Sequence, residues 1–562
     1  FFDQWIVASA LGMSPTWPVY NDDGSYNFDG NGYWRIATDY QHNEIINPVA
    51  QANLEENKVH HANLMGNGYL EYEFIEGLKY KLSTGIAYNH YHADYYRPST
   101  LPTRGWKYYD EPSNPIAWAS TTYYINWVIE NTLSYEKKIG DHNLRSLAGF
   151  SSQKNYRNNH RVEATNFPND LVHTIGAGTV TDGTSGISEW SLMSVLGRIQ
   201  YDYKGKYLLT AAIRADGSSR FGKNNKWGYF PSTSAGWRVA EEEFLKEITT
   251  ISNLKLRASY GLTGNFQIGN YDHISRVSKE NYVLGAGDGQ GVNGLKPSNV
   301  ENADLGWEKT AMLDIGIDIG LFKDRIKLEA DWYNSNTSDL LLNVPVPYTT
   351  GFGSARQNIG KVNNTGWEFT LTTRNKIGKV DWTAAFNFST NENEVKSLGP
   401  EDAPIITTAG TGHAFFITEV GERIGSYYLL VQDGVFKNQE ELDKYPHFDN
   451  TEVGDFRFVD VDKDGVLDVN NDRIIVGNYA PDFTYGFSSN LKYKGVDLSF
   501  SIQGVQGSEI LHLLRRYNYN MEGNFNNSVI ALDRWISEEN PGDGNTNRAN
   551  RKSKGNNGRT ST

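Results

Sequence analysis

Residues 310–334 read TAMLDIGIDIGLFKDRIKLEADWYN. Leu313, Ile315, Ile317, Ile319 and Leu321 fall on every second position, with Asp and Gly between them, and after Phe322–Arg325 the alternation resumes at Ile326, Leu328, Ala330 and Trp332. Successive side chains of a strand point to opposite faces, so a period of two predicts a hairpin whose strands each have one apolar and one polar face. The pattern recurs around Ile75-Glu76-Gly77, with Leu64, Gly66, Gly68, Leu70, Tyr72 and Phe74 before it and Leu78, Tyr80, Leu82, Ile86 and Tyr88 after it. It recurs again in Trp367, Phe369, Leu371 with Trp382, Ala384, Phe386, Phe388, and in Phe483, Tyr485, Phe487, Leu491 with Val496, Leu498, Phe500, Ile502. Sustained helical periodicity is nearly absent, and the predicted class is all-β.

These rows run for about ten positions, the length of a strand that crosses a bilayer at a tilt. The predicted connections alternate in length. Tight turns at Glu76-Gly77, Ile139-Gly140-Asp141, Lys204-Gly205, Lys323-Asp324 and Lys494-Gly495 are interleaved with long segments at 89–120, 152–190, 264–305, 334–365 and 389–480. A compact soluble domain rarely carries such loops, whereas an outer-membrane barrel turns tightly in the periplasm and builds long loops outside the cell. In hydrocarbon no water satisfies an exposed amide, so strands cross only in a closed sheet with lipid-facing apolar and lumen-facing polar side chains. The sequence therefore predicts a large antiparallel transmembrane β-barrel. A propeller or a string of soluble β domains is disfavoured, because no repeat of about 40 to 45 residues is visible.

Composition agrees. The 562 residues are only 38% apolar, with mean hydropathy −0.57, yet 34 Tyr, 25 Phe and 14 Trp bring aromatics to 13%. A disordered chain of this polarity lacks such rings. Sixty-seven acidic against 53 basic residues give a net charge of −14, which disfavours nucleic acid as a partner. Cysteine is absent, so thiolate metal sites and Cys nucleophiles are excluded. No apolar run is long enough for a transmembrane helix. The N-terminal FFDQWIVASALGMSPTW has neither a basic region nor a cleavage pattern and reads as the interior of a longer gene product.

Two constellations are candidate sites. DVDKDGVLDVNND, residues 460–472, places Asp460, Asp462, Asp464 and Asp468 at positions one, three, five and nine around Gly465, with the Val466 carbonyl at seven, as in a calcium loop. Position twelve is Asn471, and the next acid, Asp472, is one residue late. No amphipathic helices flank the loop, so a helix-opening sensor is disfavoured. A structural Ca2+ or Mg2+ and a metal-free turn whose carboxylates cap amides both remain readings of it. The second constellation is aromatic. Trp17 and Trp34, and Trp106, Tyr108 and Tyr109, are candidates for stacking on sugar or peptide faces, or else pack the loops. Tyr123, Tyr124 and Trp127 read as strand and interfacial girdle. His90 and His92 read as solvated loop histidines.

Four long blocks carry a family resemblance: residues 213–245 (IRADGSSRFGKNNKWGYFPSTSAGWRVAEEEFL), 295–371 (beginning LKPSNVENADLGWEK), 420–442 (VGERIGSYYLLVQDGVFKNQEEL) and 454–507 (beginning GDFRFVDVDKDG). Together they resemble the barrel of SusC/RagA-type TonB-dependent outer-membrane transporters. The resemblance implies a 22-stranded barrel in the outer membrane of a Gram-negative bacterium, normally filled by an N-terminal plug. It also implies a SusD-like surface lipoprotein as lid, coupling to TonB-ExbB-ExbD through the plug, and import of oligosaccharides or peptides. A dimer of SusC–SusD pairs is a further possibility. Residues 1–562 are expected to be an incomplete barrel of about 16 to 18 strands, with plug and final strands outside this chain and 389–480 as a long extracellular region holding the acidic loop. Enzyme motifs of the G-x-S-x-G, H-E-x-x-H and phosphate-loop types are missing from the sequence, so no catalysis is expected. A non-transporting membrane scaffold is the alternative, and a surface glycan-degrading enzyme the less favoured one.

Overall fold

The computed structural model describes residues 3–13, 15–16, 18–27, 47–101, 114–284, 290–409, 414–513, 515–519, 521 and 526–549. One antiparallel sheet of 14 strands dominates it. In order these are β1 (Glu56–Ile75), β2 (Leu78–Arg97), β3 (Ile116–Ile139), β4 (His142–Thr165), β5 (Thr179–Tyr203), β6 (Tyr207–Ser218), β7 (Trp227–Arg238), β8 (Ile251–Asn265), β9 (Glu308–Leu321), β10 (Ile326–Ser338), β11 (Lys361–Ile377), β12 (Val380–Ser397), β13 (Phe483–Tyr493) and β14 (Val496–Gln506). Every strand pairs with its neighbour in sequence, as in the wall of an up-and-down barrel. Among the described residues β1 and β14 are not joined, so the wall is incomplete, and it has fewer strands than the expected 16 to 18.

Register keeps the two faces apart. Ile315 on β9 lies opposite Ala258 on β8 and Trp332 on β10, Trp332 opposite Trp367 on β11, and Phe388 on β12 opposite Phe369 and Tyr485. One step along, Gly316 lies opposite Arg257 and Asp331, and Asp331 opposite Glu368. A one-residue slip would exchange the faces, so the alternation itself fixes the register. On the apolar side Ile213, Tyr260, Ile315 and Leu498 are 49–57% exposed, and no second protein layer covers them among the described residues. Such a belt of bare apolar side chains suits contact with lipid. Among the described residues no helix is long and apolar enough to cross a membrane.

The tight turns fall where expected, and four of the five long connections are shorter than expected, 266–307 keeping its expected length. β2 continues to Arg97, β4 to Thr165 and β12 to Ser397, while β5 begins at Thr179. These extensions run into buried clusters of the outer connections, Tyr96 with Ala117 and Ala164 and Val395 with Val362 and Leu398, so their side chains no longer alternate between lipid and lumen while backbone pairing continues. The connections are also not structureless. Residues 266–307 contain the hairpin Val277–Leu284 with Gln290–Pro297, and 339–360 contain Leu341–Pro345 with Ser354–Asn358. Residues 398–482 carry a four-stranded sheet (Ile405–Ala409, Ala414–Thr418, Ser426–Leu430, Arg473–Gly477) and the helix Gln439–Lys444. Asn438 caps that helix by accepting from the Glu441 N–H at 2.9 Å.

Buried apolar clusters sit in these connections and at the strand ends next to them, not in a central core. Phe221, Phe230, Ile268, Leu305 and Trp307 form one; Leu430, Phe458 and Leu467 form another. Tyr123 and Trp127 are on the apolar face of β3, opposite His90 and Ile86. Tyr124 faces the polar side, where the Arg157 guanidinium lies 5.5 Å from its ring centre. His90 and His92 are not loop residues but part of β2; the His92 ring nitrogens lie 2.9 Å from Thr121 Oγ1 and 3.0 Å from Asp94 Oδ2.

Candidate functional site

The acidic loop joins the short strand Phe456–Phe458 to Arg473–Gly477, so strands flank it. Its shape follows from two left-handed residues, Lys463 (φ +59°) and Gly465 (φ +85°), the latter at the sharp turn where the sequence provides glycine. Asp460 accepts from the Lys463 and Gly465 N–H groups at 2.8 and 3.0 Å, Asp462 from Asp464 at 3.2 Å, and Asp464 from Val466 at 2.8 Å. Leu467 fastens the loop to the Leu430–Phe458 cluster.

Of the five candidate carboxylate ligands, the fold brings three together. Carboxylate oxygens of Asp460, Asp462 and Asp464 lie within 4.8 Å of one another. Asp468 and Asp472 are not in that group, and Val466, expected to offer its carbonyl, is exposed. Asp472 is fully buried and accepts from the Val461 and Asp468 N–H groups, both at 2.7 Å, which closes the loop across its base. Asp468 accepts from the Asn470 and Asn471 N–H groups at 2.6 and 3.0 Å, which lowers its pKa. Asp462 behaves oppositely: although it accepts the Asp464 N–H, desolvation and the carboxylates of Asp464, Asp472 and Asp460 raise its pKa. Three crowded carboxylates favour a divalent cation with oxygen ligands.

The polar wall supplies a second arrangement. Arg257 on β8 donates from Nε to Asp318 on β9 at 3.0 Å, pairs with Asp331 on β10, and lies 3.6 Å from Asp314. Its guanidinium fills the space over Gly316, where a Cβ would collide with it. Arg214 on β6 donates to both oxygens of Asp216 at 2.7 and 2.8 Å and to Ser194 Oγ at 2.9 Å. It borders a hollow of about 450 Å³ with Leu147, Leu196, Arg198, Asp216 and Phe230 in its lining. The mixture of apolar floor and paired charges can hold a polar partner without a bare buried charge.

The aromatic candidates Trp17, Trp34, Trp106, Tyr108 and Tyr109 lie outside the described residues. Nearby, Tyr20 and Tyr26 face each other with ring centres 5.3 Å apart, and Tyr26 Oη accepts from Asn53 Nδ2 at 3.0 Å. Sequence reading missed one assembly. Residues 533–548, beyond β14, fold back on the 398–482 connection: Arg548 Nε donates to the buried Asp455 at 2.6 Å, Trp535 Nε1 to the Lys437 carbonyl at 3.0 Å, and Gln432 Nε2 to the Asn545 carbonyl at 2.9 Å. Burial raises the Asp455 pKa despite its Arg548 partner. The partners are about a hundred residues apart and share no local pattern, so only the fold joins them.

The family model described as TonB dependent receptor-like, beta-barrel matches residues 8–445. TonB-dependent receptor P3 of Formosa agariphila is 35% identical over 90% of this chain and 50% of its own length. TonB-dependent receptor SusC of Bacteroides thetaiotaomicron is 28% identical over 93% of this chain and 52% of its own length. The chain thus spans about half the length of the curated relatives it matches. Among solved structures, that of the RagAB peptide transporter superposes with a TM-score of 0.79 at 23% identity, covering 97% of this chain and 58% of that one, a likeness of fold.

Proposed function

Since the chain belongs to the TonB-dependent receptor β-barrel family, whose members reside in the outer membrane of Gram-negative bacteria, we propose that it serves active import of oligosaccharides or peptides as the barrel subunit of a SusC-type transporter. The observation that carries this reading is the two-faced wall: an uncovered apolar belt outside, and a polar face lined with paired charges such as Arg257 with Asp318 and Asp331. In this reading the outer connections and a SusD-like lipoprotein lid select cargo by binding. TonB-ExbB-ExbD, acting on a plug, then releases it inward, with no covalent step. A dimer of such two-protein units is part of the proposal. Uptake of labelled oligosaccharides and of labelled peptides by cells carrying the full-length gene, with and without TonB, tests it. TonB-dependent uptake of one class is expected, and uptake of neither would overturn the reading. The mass of the detergent-purified complex tests the lid and the dimer.

A cation at Asp460, Asp462 and Asp464 belongs to the same proposal, as a fastener for the outer connection. Ca2+ or Mg2+ titrated into the full-length protein in a calorimeter is expected to give a binding isotherm that Asp462→Asn and Asp464→Asn together abolish. An isotherm unchanged in that variant rejects the site.

A further inference from the structure

The chain as a whole is acidic, but one part of its surface has the opposite sign. The inner turns of the three hairpins β9–β10, β11–β12 and β13–β14 are neighbours in the sheet. Residues 322–327, 374–381 and 492–497 hold eight Lys or Arg against three Asp. Each Asp already has a cation: Asp324 with Lys327 at 3.2 Å, Asp381 with Lys376 at 3.9 Å, and Asp497 with Lys492 at 4.0 Å. Lys323, Arg325, Arg374, Lys379 and Lys494 have no carboxylate within ion-pair distance among the described residues. Arg325 donates to Asn375 Oδ1 at 3.2 Å, and the Lys494 ammonium lies 5.4 Å from the Tyr493 ring centre. Both contacts leave the positive charge uncompensated.

The height of these cations identifies their partner. Phe322, Ile377, Tyr493 and Val496 at the same end are 46–68% exposed and mark the lower edge of the apolar belt. The turns that carry the cations are only two to four residues long, so the ammonium and guanidinium groups cannot leave the plane of the neighbouring headgroups. Long basic side chains at a membrane edge lay their stems along apolar surface and put their charge among the phosphates. A soluble acidic protein would have to enter that plane, whereas lipid is already there.

We propose that this inner rim is a binding surface for anionic phospholipid headgroups, phosphatidylglycerol or cardiolipin, in the inner leaflet of the outer membrane. Headgroup phosphodiesters are held along the rim by Lys323 and Arg325, by Lys379 and by Lys494, each set on one of three adjacent turns, and the rim anchors this arc of the wall at a fixed depth. The inference needs the wall and its orientation, not the import reading, and it survives if no cargo is found.

The test uses the full-length protein in nanodiscs of phosphatidylethanolamine with a minor fraction of phosphatidylglycerol, followed by native mass spectrometry of retained lipid. Phosphatidylglycerol is expected at roughly fivefold or more over its bulk fraction, because a single basic residue at a membrane surface is worth about that factor. The enrichment is expected to fall as salt rises. It should vanish in the combined Lys323→Gln, Arg325→Gln, Lys379→Gln and Lys494→Gln variant and persist when the three lysines become Arg. Wild-type retention at the bulk fraction, retention insensitive to salt, or enrichment that persists in the four-Gln variant would each overturn the proposal. The salt titration needs no variant, and heat-modifiable electrophoretic mobility confirms that the substituted barrels are folded.

Discussion

The two ends of the wall obey different rules. At the inner end the turns between β9 and β14 are two to four residues long, basic, and without buried cores. At the outer end residues 398–482 hold 17 Asp or Glu against six Lys or Arg and fold around their own apolar clusters. Between the two, the wall has almost no interior, because its apolar side chains face outward. The difference teaches where stability resides. Backbone pairing and lipid sustain the wall, while hydrophobic burial in the ordinary sense sustains only the outer part. The two regions should therefore fail separately.

The largest expected effect breaks the outer region alone. Phe458 is buried with Leu430 and Leu467, and Phe458→Ala is expected to cost the outer subdomain about 3–5 kcal/mol. Limited proteolysis of folded protein should then cut within 398–482 while the barrel keeps its heat-modifiable mobility. Loss of both together would show that wall and subdomain form one cooperative unit.

Next is the wall. Arg257→Ala leaves Asp314, Asp318 and Asp331 facing one another with Lys255 as the remaining cation near Asp318. Breaking a buried pair costs about 3–5 kcal/mol, but this network is partly wet, so about 2 kcal/mol is expected. Urea unfolding of the reconstituted barrel measures it, and the outer subdomain's proteolysis pattern should not change.

A smaller effect is expected at the loop's base. Asp472→Ala removes the acceptor shared by the Val461 and Asp468 N–H groups, at about 1–3 kcal/mol for the buried donors left unpaired. Hydrogen exchange should quicken at residues 460–472 and nowhere in the wall. Asp472 also shows what the sequence could and could not convey. Period-two alternation made the hairpins legible, because each strand's two environments are written on alternate residues, as at Ile315 and Gly316. The acidic spacing made the loop legible, and Asp460, Asp462 and Asp464 do converge. Counting along the loop made Asp472 a late ligand, whereas its carboxylate closes the loop on two amides, a role set by burial rather than spacing. Arg548 on Asp455 and the strand extensions above the belt were illegible for related reasons. One is a contact across 93 residues, and the other is pairing at strand ends that pack into the outer clusters, where lipid-facing and lumen-facing residues no longer alternate.

The smallest effect tests the loop's charge directly. Asp468 has a lowered pKa, so its contribution to stability is present above the ordinary carboxylate value of 3.8 and is lost as pH falls through its own lower value. Asp462 has a raised pKa, so its contribution is present below 3.8 and is lost as pH rises through its own higher value. Over the interval in which pH rises from 3.8 through the raised Asp462 value, the Asp468 contribution is constant and the Asp462 contribution disappears. Amide protection across 460–472, corrected for intrinsic exchange, is therefore expected to decline over that interval in the absence of divalent cations. Ca2+ should restore it, because a cation among Asp460, Asp462 and Asp464 removes the repulsion that raised Asp462. Asp462→Asn removes the titrating group and should flatten the decline, while the basic inner turns, which carry no such crowding of like carboxylates, should show no change in either protein. A decline that persists in Asp462→Asn would move its origin to the other aspartates, and a decline shared by the inner turns would mean that the two ends of the wall are not electrostatically independent.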